Sequence, residues 1–321
     1  MHEAIAVLMD ENRSRPDART EELLVRLRHE GFGALDRSIP ADLAPAVKSR
    51  PGPPAPLAEL PRENLTAAAL REGFARNGCV LVRQLVAPER VAELRAGIDA
   101  ALTALDAGLA GAPVADTTPW YAPFTPVDGD YRVGGRRNWV RNGGAMWTAD
   151  SPRMLFALFD LIDELGVGKL VTDYLGERPV LSANKCTLRR TEPGGNCGDW
   201  HQDGAFLGPR VRSVNFWLSL EHAGRDAPGL DIVPRRLDRV LATGTGGAHF
   251  DWAVGSETVA DAAGDVGVAR PEFGPGDALF FDHLFLHRTA VSPEMRQSRH
   301  ALETWFFAPS TYPDGQIPLV Y

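Results

Sequence analysis

The chain has 321 residues, of which 44% are hydrophobic and 24% charged, with a formal net charge of -8. That length can bury a large core as one or two domains, and the acidic balance excludes a nucleic-acid binder that works by blanket phosphate neutralisation. Three scattered cysteines, Cys79, Cys186 and Cys197, exclude a disulfide framework and a four-thiolate zinc site, and no apolar run reaches membrane-spanning length, so a cytoplasmic chain with no membrane partner is expected.

In chain order, residues 1–62 read as a helical extension and proline-rich linker, and residues 63–321 as the main domain. Leu23, Leu24, Leu27 and Phe32 recur at roughly helical spacing. The segment from Pro51 to Pro61 is proline-rich and reads as an extended linker. The extension is expected to pack as a helix on the main domain, with a dimerisation arm or a lid as the alternatives. CVLVRQLV is rich in branched apolar residues and predicts a strand. Pro88 then opens a helix whose buried stripe is Val91, Leu94, Ile98, Ala101 and Leu105. Pro113 to Asp150 is poor in regular signals and is expected to supply loops that meet a substrate. A second helical block runs from Ser151 to Gly176. From Pro179 onward short strands alternate with glycine and proline turns: PVLSANKCTLRR, RVRSVNFWLSLEH, GLDIVP, DALFFDHLFLHR and RHALETWFFAP. Helices first and many short strands after predict a mainly β sandwich or jelly roll, its sheet one closed unit, with helices packed on one outer face.

The stretch GDWHQDGAFLG places His201 and Asp203 two residues apart, so in strand spacing both project to one side. A polar turn would explain them, and so would two of three ligands to a metal. A second match, His249-Phe250-Asp251, sits in a glycine-rich insertion and reads as a surface loop. The third ligand should come from a late strand folded back beside the first. His287, at the end of GDALFFDHLFLH, fits that place, and His283 competes with it. Two histidines and one carboxylate with open positions suit non-haem Fe(II), and hydrolytic zinc is the rival. Arg299 opens the strand RHALETWFFAP on the same face as Ala301, Glu303 and Trp305. An inward arginine needs an anionic partner; a free dicarboxylate would provide one, and Glu303 could do so internally.

In these pieces the sequence resembles the phytanoyl-CoA dioxygenase family of Fe(II)/2-oxoglutarate oxygenases, over roughly residues 65 to 310. FARNGCVLVRQLVAPERVAELRAGID resembles the family's opening strand and helix, WHQDGAFLG its His-x-Asp segment, APGLDIVPRR a later strand, and GDALFFDHLFLHRTAVSPEMRQSRHAL its distal His followed by Arg-x-Ala. The sequence departs from it at Pro234–Arg239, in a slightly long His287–Arg299 gap, and in the extension. The resemblance implies a double-stranded β-helix (jelly-roll, cupin-like) core. Fe(II) would be held by His201, Asp203 and His287, and 2-oxoglutarate would chelate the metal with its far carboxylate on Arg299. Arg296 is the alternative to Arg299, and Asn215 would lend a polar contact. With O2 as the oxidant, succinate and CO2 are released, and the retained carboxylate of Asp203 implies hydroxylation or another oxygen-driven C–H oxidation, and not halogenation. Candidate substrate contacts are Arg137, Trp139, Trp147, Phe206 and Trp217. The expected partner is a small-molecule metabolite, with a role in natural-product biosynthesis. Rival readings are a metal-dependent lyase or hydrolase without a cosubstrate, and a non-catalytic binding protein on the same fold.

Overall fold

In a computed structural model, residues 1–41, 46–50, 56–127, 131–194 and 197–321 are described. The chain opens with α1 (His2–Ser14) and α2 (Ala18–Glu30), the latter capped by Asp17, whose side chain accepts from the Thr20 amide. Both helices lie against the body of the protein. The Arg28 guanidinium donates to the Val320 carbonyl at 2.8 Å, and His29 Nδ1 donates to the Pro318 carbonyl at 2.9 Å. Of the proline-rich segment, residues 51–55 lie outside the described residues; its end, Glu59–Pro61, is a short strand, β1. Thr66 caps α3 (Ala67–Asn77), and Gly78, at φ 75, takes the left-handed turn into β2 (Cys79–Arg83), which pairs parallel with β1. The proline-started helix is α4 (Pro88–Leu109), and its predicted stripe is buried throughout.

The segment expected to lack regular structure in fact holds α5 (Val114–Thr117), α6 (Val133–Asn142) and β3 (Ala145–Trp147). The second helical block is two helices, α7 (Pro152–Glu164) and α8 (Val167–Leu175), because Gly166 adopts a left-handed φ of 68 between them. PVLSANKCTLRR likewise divides into β4 (Val180–Ser182) and β5 (Thr187–Thr191) around a turn. There follow α9 (Gly204–Leu207), β6 (Ser213–Ser219), β7 (Gly229–Ile232) and α10 (Ser256–Ala263). The last elements are β8 (Ala278–Phe281), β9 (His287–Ala290), β10 (Arg299–Phe307) and β11 (Pro318–Val320). The break between β8 and β9 corrects the expected single strand. Asp282 turns the chain, its carboxylate accepting from the Leu284 amide and its carbonyl from the Phe285 amide. His287 therefore opens a strand where it was expected to close one.

Among the described residues, the strands form one nine-stranded sheet, ordered β1-β2-β8-β6-β10-β4-β11 with β5 also beside β10 and β3 beside β5, and a separate β7-β9 ribbon. The expected closure is thus not met: the layers form an open jelly-roll sandwich. Side chains alternate between its faces. Val80, Val82, Phe216, Leu218, Phe280, Leu302 and Phe306 pack outward with the helices in one core. Cys79, Leu81, Trp217, Leu279, Phe281, Ala301 and Trp305 pack inward with Leu230 and Ile232 of the ribbon. Both faces are dry, which explains strands that read as apolar runs. The inner layer is where the polar residues of interest converge.

Candidate metal centre

His201 and His287 form an antiparallel bridge, each amide donating to the other's carbonyl, at 3.0 and 3.1 Å. Directly opposed residues share a face, so the two imidazoles lie with centroids 4.5 Å apart. Gln202, between the ligands, points the other way. Its side chain donates to the carbonyls of Leu284 and Arg239 and accepts from the Leu241 amide, pinning the turns behind the site. Asp203 then leads into α9, and Gly204 follows because a Cβ there would stand 2.8 Å from Val240 and 3.1 Å from His283. Ligand-capable atoms of His201, Asp203 and His287 all lie within 4.8 Å of one another. His283 is outside this group; its Nδ1 lies 3.2 Å from Ser213 Oγ.

The donor set fits a metal ion. His201 Nδ1 lies 2.8 Å from the Asp199 carbonyl, and His287 Nδ1 3.1 Å from the Phe285 carbonyl. A carbonyl only accepts, so each Nδ1 carries the proton and each Nε2 keeps its lone pair free for a ligand. Burial, with His201 nearby, pushes His287 down to about 4, so its ring is neutral at pH 7. Burial alone would raise the Asp203 carboxyl, but the ammonium of Lys185 beside it holds it below the usual range. The neutral His287 ring and the ionised Asp203 carboxylate are the protonation states a divalent cation requires.

Across from the ribbon, on the inner face of β10, Arg299 is 1% exposed. Its guanidinium donates to the Gly229 carbonyl at 3.0 Å and to Thr191 Oγ1 at 2.9 Å, and lies 5.2 Å from the Trp217 ring. Among the described residues no carboxylate hydrogen-bonds it, and its Nε is buried without a partner. Burial brings its pKa down to about 9. Glu303, which could have neutralised it, is engaged elsewhere: it accepts from Arg189, from Trp305 Nε1 and from Asn215 Nδ2. Asn215 is fully buried with its Oδ1 unpartnered. Arg296 turns back onto the Pro293 and Met295 carbonyls at the surface.

The candidate substrate residues divide. Phe206 is 44% exposed, with its ring 6.3 Å from that of His201. Trp139, 58% exposed on α6, meets Phe250 and Trp252, and Trp252 stands edge-on to His201 at 5.7 Å. Arg137 is not free to meet a substrate. It grips the buried Asp150 through two nitrogens, at 2.7 and 2.6 Å, and covers the ring of Trp147. Trp147 is buried in the helix-side core and Trp217 lies under Arg299, so neither presents an open face. The segment read as a plain surface loop is in fact tied to the centre. His249 Nδ1 lies 2.8 Å from the carboxylate of Asp199, whose carbonyl orients His201.

Sequence reasoning missed Lys185, which donates to Asp203 Oδ1 at 2.7 Å. It also missed Phe250 and Trp252. No pattern marked Lys185, which sits in a turn 18 residues before Asp203. The aromatic spacing in HFDW was visible, but nothing in it revealed where the loop lands.

Comparison with known proteins follows the same lines. The model of the phytanoyl-CoA dioxygenase (PhyH) family matches residues 74–298. The solved structure of EctD from S. alaskensis with 2-oxoglutarate and 5-hydroxyectoine is 20% identical, with a TM-score of 0.54 over 86% of this chain and 86% of that one. The same protein with bound Fe is 18% identical, with a TM-score of 0.54 over 78% and 80% of the two chains. AviO1 from Streptomyces viridochromogenes Tue57 is 22% identical, with a TM-score of 0.48 over 78% of this chain and 98% of that one. No curated protein matches. At these identities the EctD likeness speaks for the fold.

Proposed function

The chain belongs to the phytanoyl-CoA dioxygenase family, which makes it a 2-oxoglutarate-dependent oxygenase by class, and we propose that it hydroxylates an unactivated C–H bond of a small-molecule metabolite in natural-product biosynthesis. In this reading His201 and His287, through Nε2, and Asp203 hold Fe(II). Arg299 receives the far carboxylate of 2-oxoglutarate, and Asn215 lends a polar contact through Nδ2, the donor end of its side chain. When bound, Fe(II), 2-oxoglutarate and O2 supply the oxidising chemistry, with succinate and CO2 as co-products.

The protein's own residues do the positioning. The His201–His287 bridge fixes both imidazoles before any metal arrives, and Asp199 and Phe285 fix their tautomers through carbonyl acceptors. Arg299 is buried and held by Gly229 and Thr191, which leaves its Nε without a partner and a planar guanidinium for an incoming carboxylate. Phe206, Trp252, Phe250 and Trp139 form a rim of rings beside His201, suited to a substrate that presents an apolar or planar face.

The observation that carries the reading is Arg299, a buried cation to which no carboxylate among the described residues hydrogen-bonds, and which reaches Gly229 of the ribbon that carries His287. A metal-dependent lyase or hydrolase with no cosubstrate gives that cation no hydrogen-bonded carboxylate. The test is Fe(II)-dependent succinate formation from 2-oxoglutarate. Wild type should form succinate and Asp203→Ala should not, and equal turnover by the two would remove Asp203 from the metal site.

A further inference from the structure

We propose that Lys185 is a positioning residue that restricts Asp203 to one oxygen toward the metal, keeping the other coordination positions open. The inference rests on the metal reading of the triad. The two carboxylate oxygens of Asp203 have different surroundings. Oδ1 takes the ammonium of Lys185 at 2.7 Å, whereas Oδ2 faces His287 Nε2 at 3.9 Å. Asp203 is buried, so water does not compete for Oδ1, and Lys185 is the side chain that satisfies it.

The ammonium is itself held in place. Lys185 lies in the tight turn between β4 and β5, its amide donating to the Ser182 carbonyl at 3.0 Å. Its Nζ stands 4.5 Å from the centroid of Phe206 and 5.5 Å from that of Trp305. This arrangement has two consequences for a metal in the triad. A carboxylate with both oxygens free can chelate and so occupy a second position. Two histidines and one singly bound carboxylate leave three positions open, and a 2-oxo acid that chelates needs two of them. The cation also opposes a second positive charge close by. Lys185 therefore lowers the affinity for the bare metal and preserves the affinity for the diacid.

These effects have opposite signs, which separates positioning from a merely structural role. Co(II) serves as the probe metal, titrated calorimetrically into wild type, Lys185→Met and Lys185→Arg, followed by 2-oxoglutarate. In Lys185→Met, Co(II) should bind at least threefold tighter and 2-oxoglutarate at least threefold weaker, with a changed visible Co(II) spectrum. Lys185→Arg should restore both toward wild type. If both affinities of the methionine variant stay within twofold of wild type, or both fall together, the proposal is overturned. Weaker 2-oxoglutarate binding with unchanged Co(II) uptake assigns Lys185 to the cosubstrate and also overturns it. A wild type that takes up no Co(II) refutes the metal reading itself, and the inference falls with it.

Discussion

Replacing Arg299 by methionine separates what this residue does for the fold from what it does for a ligand. Burial shifts the guanidinium from the ordinary arginine range down to about 9, which corresponds to a cost of roughly 5 kcal/mol for holding the charge there. Methionine removes that cost and keeps the apolar stem. It also leaves the Gly229 carbonyl and Thr191 Oγ1 without their donor, at about 1–3 kcal/mol each. The two effects largely cancel, so the unfolding free energy of the metal-free protein should change by no more than about 3 kcal/mol. For the diacid nothing offsets the loss. Two charge-assisted hydrogen bonds are worth about 1.5–3 kcal/mol apiece, so 2-oxoglutarate should bind the Co(II)-loaded variant at least about 100-fold more weakly. Urea unfolding and anaerobic calorimetry read the two quantities. A variant that loses about 3–5 kcal/mol of stability, as a broken buried ion pair does, yet binds 2-oxoglutarate normally, would refute the reasoning and make Arg299 structural.

Three other outcomes are expected. His287 lies at about 4 because it is buried, so the neutral ring contributes stability that is complete above the ordinary imidazole pKa and is lost as pH falls through about 4. The urea midpoint of the metal-free protein should drop more between pH 7 and pH 4.5 in wild type than in His287→Gln; equal drops would show that this ring is not the titrating group. Trp252→Ala should cut substrate-stimulated succinate formation at least tenfold and leave 2-oxoglutarate binding within twofold, and a loss of both would place Trp252 in the scaffold. Arg137→Ala should destabilise the protein by about 3–5 kcal/mol by stranding the buried Asp150, with 2-oxoglutarate binding unaltered; an unchanged unfolding midpoint would return Arg137 to the substrate.

What could be read from the sequence followed from periodicity and local spacing. The HQD pattern implied convergence because strand geometry puts alternate residues on one side, and Arg299 shared a face with Trp305 for the same reason. His287 was selected over His283 by its place in the strand pattern. The choice agrees with the geometry, although the reason for it did not hold: Asp282 breaks the strand, and His287 is oriented by its bridge to His201. Arg137 misled because a lone arginine in an irregular segment carries no sign of its partner, and Asp150 lies 13 residues away across a helix and a strand. Lys185 and Trp252 reach the centre through turns whose direction no short-range pattern encodes. The N-terminal helices were legible as helices, but their docking through Arg28 and His29 onto the C-terminal strand depends on residues almost 300 positions distant.

The central claim is that one centre binds both a ferrous ion and a 2-oxo acid. Fe(II) and then 2-oxoglutarate are added to the protein without oxygen, and the visible absorption is recorded. A weak, broad charge-transfer band should appear only when both are present, and it should be missing in His201→Ala and in His287→Ala. No band in the wild type, or an undiminished band in either variant, would contradict the account.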